Sequence, residues 1–358
     1  MNGIIIVDKP AGWTSHDVVA KLRGALRKDG MGGATGAVVG GAMGAVVGGA
    51  TGGSKNVKRV GHGGTLDPMA TGVLPVFIGR ATRAAEFCEN SEKEYIAGLR
   101  LGLVTDTQDI TGKIISVCGA DGADDGTDCG SNCGERGRAY DGADGSAYDS
   151  SNCGASGISV SPDDVLSVLP RFLGAQKQTP PMYSAIKIDG KKLYESARRG
   201  LDVPRPARDV FISEIELLGG AGNEYTLKVA CSKGTYVRTL CHDIGAALGC
   251  GGAMSSLRRV KAGAFTLDMA RRLDEILDAA AAGAIEKFLL PVDTIFSKYP
   301  AAPLSGRNAL KCRNGAPCHV DDMESGIYRF YGPDNEFLLL GEIKSGEIKV
   351  IKSFFEPT

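Results

Sequence analysis

Two stretches of this 358-residue chain carry almost no side chains that could fill a core, and they limit where a fold can be built. Residues 29–54 are almost wholly Gly, Ala, Val, Met and Thr, with Gly-Ala-Val-Val-Gly-Gly-Ala at 36–42 and again at 44–50. Residues 118–157 are rich in Gly, Asp, Ser and Cys. Ordering such segments costs conformational entropy that their small apolar area cannot offset. Both read as insertions into a fold made by the remaining residues. The G-x-x-x-G spacings of the first could suit a membrane helix contact, but its glycine density argues against a spanning helix.

The second insert also distorts the charge balance. The whole chain has a formal net charge of −1, yet residues 118–157 hold eight acidic and two basic side chains. Without them the body carries 39 basic against 34 acidic residues, a mildly basic surface compatible with a phosphate-backbone partner. No run of 18 or more apolar residues occurs, so a membrane helix is not expected. The first ten residues lack a basic leader, and the expected location is the cytoplasm. Reduced thiols are then expected for the ten cysteines. Cys118, Cys129, Cys133 and Cys153 offer one close pair and no second one, so no metal is assigned.

Outside the inserts the pattern is mixed α and β. Gly3 to Val7 reads as a buried strand, and either Thr14 or Ser15 can cap a helix through Val18, Val19 and Leu22. Tyr95 to Leu103 reads as a strand. Ser161-Pro162-Asp163-Asp164 is a helix start, with Pro at the first position and acids in the first turn. Tyr225, Leu227, Val229 and Cys231 alternate as in a strand, and Arg238 opens a helical segment closed by Gly249. After about residue 298 come three short strands, Ile327–Tyr331, Phe337–Ile343 and Ile348–Phe354, a meander suited to a small barrel. These patterns predict an α+β chain with domains at 1–298 and 299–358.

The chemistry concentrates in Gly61-His62-Gly63-Gly64-Thr65-Leu66-Asp67-Pro68-Met69-Ala70-Thr71-Gly72-Val73-Leu74-Pro75. Pro68 pushes Asp67 out of the helical region, and the glycines let backbone approach a bound molecule. A histidine and a carboxylate share this loop. Taken alone, an ordinary Asp-Pro turn explains the segment equally well.

In wording, the segment resembles the catalytic loop of the tRNA pseudouridine-55 synthases, the TruB family. Four more segments resemble that family in the same chain order. They are Gly3–Pro10 with Thr14–Val19; Lys93-Glu94-Tyr95 with Leu101-Gly102 and Thr105–Asp109; Gln178–Lys187 with Leu193–Arg198; and Cys231–Leu240 with Ser256–Arg259. The resemblance implies a pseudouridine synthase fold with a central mixed or antiparallel sheet, plus a small PUA-like β-barrel that binds RNA. It implies isomerisation of uridine 55 in the TΨC stem-loop of tRNA, without metal, nucleotide or redox cofactor, by a monomer needing no protein partner.

It also assigns roles. Asp67 is the nucleophile, a carboxylate able to attack the uracil or its sugar and leave again. Tyr95 stacks on the flipped uracil and offers a proton acceptor. Arg238 pairs with Asp67 and keeps it ionised. Tyr236 and Leu257 line the uracil pocket, and His62 fills the space the flipped nucleotide vacates. Lys187, Lys191, Lys192, Arg198, Arg199, Arg258, Arg259 and Lys261 are candidate phosphate contacts, about half of them expected to serve. Gly63 stands where the family usually has threonine, Ala253 where histidine is frequent, and His242 where an acid is frequent. Rival readings are an RNA-guided relative acting on ribosomal RNA, a non-catalytic tRNA-binding protein, and a cysteine-based metal protein.

Overall fold

The computed structural model describes residues 1–28, 59–118, 160–184, 186–188, 190–201, 203–320 and 323–355. Segment 29–54 lies outside them, and so does segment 118–157 except Cys118; Cys129, Cys133 and Cys153 are outside as well. The first part of the chain forms β1 (Gly3–Lys9), α1 (Ser15–Lys28), β2 (Val60–His62), β3 (Thr71–Ile78) and α2 (Ala85–Glu89). Next come β4 (Lys93–Leu101), β5 (Leu103–Thr105), β6 (Ile114–Val117), α3 (Pro162–Val168), β7 (Gly174–Gln178), β8 (Lys187–Ile188), β9 (Lys191–Lys192) and α4 (Leu193–Ala197). They are followed by β10 (Arg208–Ala221), β11 (Glu224–Cys231), α5 (Val237–Ala247) and β12 (Gly252–Ala262). The remainder is β13 (Phe265–Thr266), β14 (Arg271–Arg272), α6 (Leu273–Ala281), β15 (Ala301–Pro303), α7 (Gly306–Arg313), β16 (Gly326–Tyr331), β17 (Phe337–Lys344) and β18 (Glu347–Ser353).

The chain is α+β, with a large mixed sheet and a separate small C-terminal sheet. Two compact units divide it: Met1–Asn90 with Lys261–Thr358, and Ser91–Val260.

In the first unit, β1 runs antiparallel to β3 from Gly3↔Ile78 to Lys9↔Gly72 and parallel to β14 on its other side. Ile4 to Val7 are 0–2% exposed, the mark of a strand covered on both faces. α1 buries Val18, Val19, Leu22 and Leu26 along one stripe. Its cap is Thr14. The Thr14 hydroxyl accepts the Asp17 N–H at 3.1 Å, and the Asp17 carboxylate accepts from Thr14 N–H (2.9 Å) and hydroxyl (2.6 Å). These bonds from Thr14 hold the Asp17 carboxyl below the usual range. Ser15 is thereby released for another task.

Ile4, Ile6, Val73, Phe77, Phe265 and Phe296 form one core, which also takes in Leu340 of the C-terminal sheet and Phe354 just after it. That sheet is ordered β15-β16-β17-β18 and has a core of its own, with Leu304, Phe330, Leu338, Leu339 and Ile343. α7, capped by Ser305, adds Ala309 and Cys312 to it. The three late strands match the sequence reading, which missed α7 because only three of its eight residues are apolar or cysteine.

In the second unit the strand order is β12-β4-β11-β10-β7. On β11, Tyr225, Leu227, Val229 and Cys231 are 0–1% exposed, as their alternation requires. The Tyr225 hydroxyl donates to Val160 O at 2.6 Å, just before α3, whose start is a complete Ser161–Asp164 capping box. α5 ends as expected, with Gly249 at φ +74°.

Candidate active site

The Asp67 loop is held from both sides by buried polar side chains. Ser15, 1% exposed, accepts the Leu66 N–H at 2.8 Å and donates to the Leu66 carbonyl at 3.2 Å. Lys9 has no exposed surface, and its ammonium donates to the carbonyls of Ala70 (2.6 Å), Pro10 (2.8 Å) and Pro68 (3.2 Å). The Gly12 N–H adds a bond to Pro68 O at 2.8 Å, and Ala70 N–H closes the turn on Asp67 O at 3.1 Å. The residues immediately before and after Asp67 thus have their backbone fixed, while Asp67 itself is half-buried. The backbone that carries this carboxylate is thus preorganised.

His62 ends β2, in register with Val76 of β3. Its Nε2 lies 3.1 Å from Nδ1 of His16, at the start of α1. Gly63 is buried, and a Cβ there would lie 2.7 Å from the Phe77 ring and 2.8 Å from Cys88. Any larger residue at position 63 would therefore have to displace Phe77 or Cys88.

In the second unit Tyr95 lies on β4 opposite Val229, half-buried. Tyr236 directly precedes α5 and is gripped by Gln178, 4% exposed: Tyr236 N–H donates to its Oε1 at 2.9 Å, and its Nε2 donates to Tyr236 O at 3.3 Å. Arg238, 5% exposed, donates to Tyr183 O at 3.0 Å and Thr107 O at 3.2 Å, and lies 3.7 Å from the Asp109 carboxylate. Asp109 Oδ1 accepts from Thr107 Oγ1 (2.9 Å), Thr111 N–H (2.9 Å) and Thr111 Oγ1 (2.5 Å). Hydrogen bonds thus complete this buried ion pair, which offsets the cost of removing it from water.

The loop carrying Asp109 is itself strapped down. Met254 of β12 donates to Gln108 O and accepts from Ile110 N–H, each at 3.0 Å. Gln108 sits at φ +62°, an uncommon conformation for a side-chain-bearing residue. The sequence reading noted Thr105–Asp109 as a motif without giving Asp109 a task. The available signal was that an arginine at a buried helix start needs an acid.

Leu257 is buried on β12 and shares a face with Arg259, which is 1% exposed. Arg259 is therefore part of the packed interior and not an open phosphate contact; Arg198 and Arg199 are exposed. The side chains of Lys187, Lys191 and Lys192 are not among those described. Ala253 has no exposed surface. Burial pushes the His242 imidazole below its ordinary value and the Asp243 carboxyl up to about 7. Among the described residues, no three His, Cys, Asp or Glu side chains are grouped to hold a metal ion. No helix among them is long and apolar enough to cross a membrane.

The model of the TruB family pseudouridylate synthase N-terminal domain matches residues 54–125 and 141–237, which include His62, Asp67, Tyr95 and Tyr236. The model of the tRNA pseudouridylate synthase B C-terminal domain matches 238–297, which include Arg238 and Leu257. The chain belongs to the TruB family of pseudouridylate synthases.

A tRNA pseudouridine synthase B from Alkaliphilus oremlandii is 34% identical over 99% of this chain and 99% of its own. One from Clostridium kluyveri is 32% identical over 99% of this chain and 100% of its own. Among solved structures, a Cbf5-Nop10-Gar1 complex matches with a TM-score of 0.61 and 23% identity, over 99% of this chain and 85% of that one. An H/ACA RNP bound to a substrate RNA containing 2'-deoxyuridine matches with a TM-score of 0.62 and 21% identity, over 99% and 86%. These two establish the α+β pseudouridine synthase fold for this TruB family enzyme.

Proposed function

We propose that this chain converts uridine 55 in the TΨC loop of tRNA to pseudouridine. The observation that carries the reading is near full-length similarity, at 32–34% identity, to relatives named tRNA pseudouridine synthase B. In the reaction the bond from uracil N1 to C1′ breaks, the base turns, and C5 bonds to C1′. The proton lost from C5 balances the one gained at N1, so the step is a redox-neutral isomerisation with no cofactor.

Asp67 acts as the nucleophile, toward the base or toward C1′. Its loop supports this role, because the bonds from Ser15 and Lys9 leave the backbone around it nothing to reorganise. Arg238 keeps Asp67 ionised, and Asp109 holds Arg238 in turn. Tyr95 stacks on the flipped uracil and can take a proton during the rearrangement; Tyr236 and Leu257 line the pocket. His62 occupies the space left in the RNA stack. Residues 299–358 form an RNA-binding domain of PUA type, and 1–298 the catalytic domain. The enzyme acts as a monomer in the cytoplasm. The similarity to enzymes acting on tRNA favours this over an RNA-guided role on ribosomal RNA.

The test is to incubate the pure full-length protein with an unmodified tRNA transcript and map pseudouridine. Pseudouridine at position 55 supports the reading. Its absence at 55, or its formation only in ribosomal RNA with added guide RNA and partners, would overturn it.

A further inference from the structure

Two neighbouring residues at the start of α1 grip the catalytic loop at two points. Ser15, buried, holds the backbone of Leu66. His16, exposed, reaches His62, four residues earlier in the loop. The ring nitrogens His16 Nδ1 and His62 Nε2 are 3.1 Å apart, with ring centroids 5.1 Å apart and planes tilted by 46°. That distance is a hydrogen bond only when one ring presents N–H and the other a lone pair, so each histidine selects the other's tautomer.

His62 ends β2 in register with Val76, and the N–H of the following Gly63 donates to Pro75 O at 2.9 Å. The backbone of His16 is likewise fixed, by the Thr14–Asp17 cap and by the Ser15–Leu66 bonds. Two anchored backbones therefore hold the rings at this separation, and His16 Nδ1 gives the His62 ring a fixed partner.

We infer that His16 is a positioning residue for substrate RNA: its Nδ1 holds the His62 imidazole in the orientation and tautomer with which His62 meets the RNA. The inference rests on the proposed role of His62 and adds a residue for which that role gives no task. His16 does not touch the reacting atoms. Losing it should alter how readily RNA is engaged, not the bond changes carried by Asp67 and Arg238.

The test compares His16→Asn with His16→Leu in the full chain. Asn places an amide atom near where His Nδ1 stood, whereas Leu fills space without a polar atom. Single-turnover conversion of a tRNA transcript is measured against enzyme concentration. His16→Leu should raise the half-saturating enzyme concentration about three- to tenfold, the range a single net hydrogen bond covers. The saturated rate should stay within about twofold, and His16→Asn should restore most of the loss. Asn and Leu variants that behave alike would overturn the inference, as would a fall in saturated rate at unchanged half-saturation.

A second arm does not depend on activity. Imidazole 15N shifts of His62 should change tautomer or exchange in His16→Leu and not in His16→Asn. If they are unmoved in both, the pair does not orient His62. If the wild-type protein forms no pseudouridine at position 55, the functional reading fails, while this arm still decides the histidine pair.

Discussion

The Ser15 hydroxyl holds both backbone groups of Leu66, accepting from its N–H at 2.8 Å and donating to its carbonyl at 3.2 Å across 51 positions of sequence. One small side chain therefore completes the hydrogen bonding of the residue before Asp67. Gln178 treats Tyr236 the same way in the second unit. In the first case the neighbour of the proposed nucleophile, and in the second a proposed pocket residue itself, has both backbone groups bonded.

Ser15→Ala should therefore cost more than a surface serine would. It leaves a buried N–H and carbonyl without their partner, a loss of about 1–3 kcal/mol. Thermal unfolding should show the lower stability. Amide exchange at Leu66 should accelerate above the level that global unfolding alone explains.

Lys9→Met keeps most of the buried volume and removes the ammonium that serves three carbonyls. The loop from Pro68 to Ala70 should loosen, with a saturated single-turnover rate at least tenfold lower, equivalent to about 1.4 kcal/mol of barrier. An unchanged rate would mean that Gly12 and Ala70 alone suffice to hold the loop.

Asp67→Asn tests the proposed nucleophile. The amide is nearly isosteric but a poor nucleophile. Pseudouridine formation should fall below detection, while tRNA affinity, dominated by phosphate contacts, stays within a few fold. Product from a rigorously pure variant would remove Asp67 from the role.

Phe296→Ala should destabilise the first unit by about 3–5 kcal/mol, as for other buried aromatic truncations. Phe296 is 1% exposed and sits among Phe87, Phe337 and Phe354, at centroid distances of 5.0, 5.9 and 5.6 Å. For the same reason, cutting the chain after Lys298 would strip Phe337 and Phe354 from this core. Loss of stability would then mask any specific effect on RNA binding.

Asp243 supplies a pH dependence. Its carboxyl is pushed up from 3.8 to about 7 by burial, so the folded protein binds more protons than the unfolded chain between those values. Stability from this group falls as pH rises through that window and levels off above about 7. Asp243→Asn removes the titration. Its melting-temperature gain over wild type should be larger at pH 8 than at pH 5, and a gain that is equal at both would contradict the assignment.

Much of the fold was legible where pattern and environment agree. The buried run Ile4–Val7, the alternation on β11 and the capping box at Ser161 all appear in the structure because local preference and burial point the same way. Thr14 and Ser15 were interchangeable as caps on paper, since either hydroxyl fits; only the approach of Leu66 from 51 positions away separates them. Lys9 lies just beyond the apolar run Gly3–Val7, and no periodicity announces that its ammonium is enclosed by three carbonyls. The segment of the site residues was visible through family wording. The task of Asp109 was not, because its partner Arg238 lies 129 positions away and the two meet only in the folded chain, where α5 bonds to the Asp109 loop through Arg238–Thr107 and Thr239–Gln108.

The ladder between β1 and β3 has one further effect. Its register fixes Lys9 against Gly72 at the end where the Asp67 loop returns to the sheet. Side chains alternate along a strand, so a slip by one position would exchange Ile4 and Ile6 with Ile5 and Val7 between two buried faces and carry Lys9 away from the loop in the same motion. One set of strand pairings thus specifies both the packing of the apolar interior and the place at which the Asp67 loop meets the sheet.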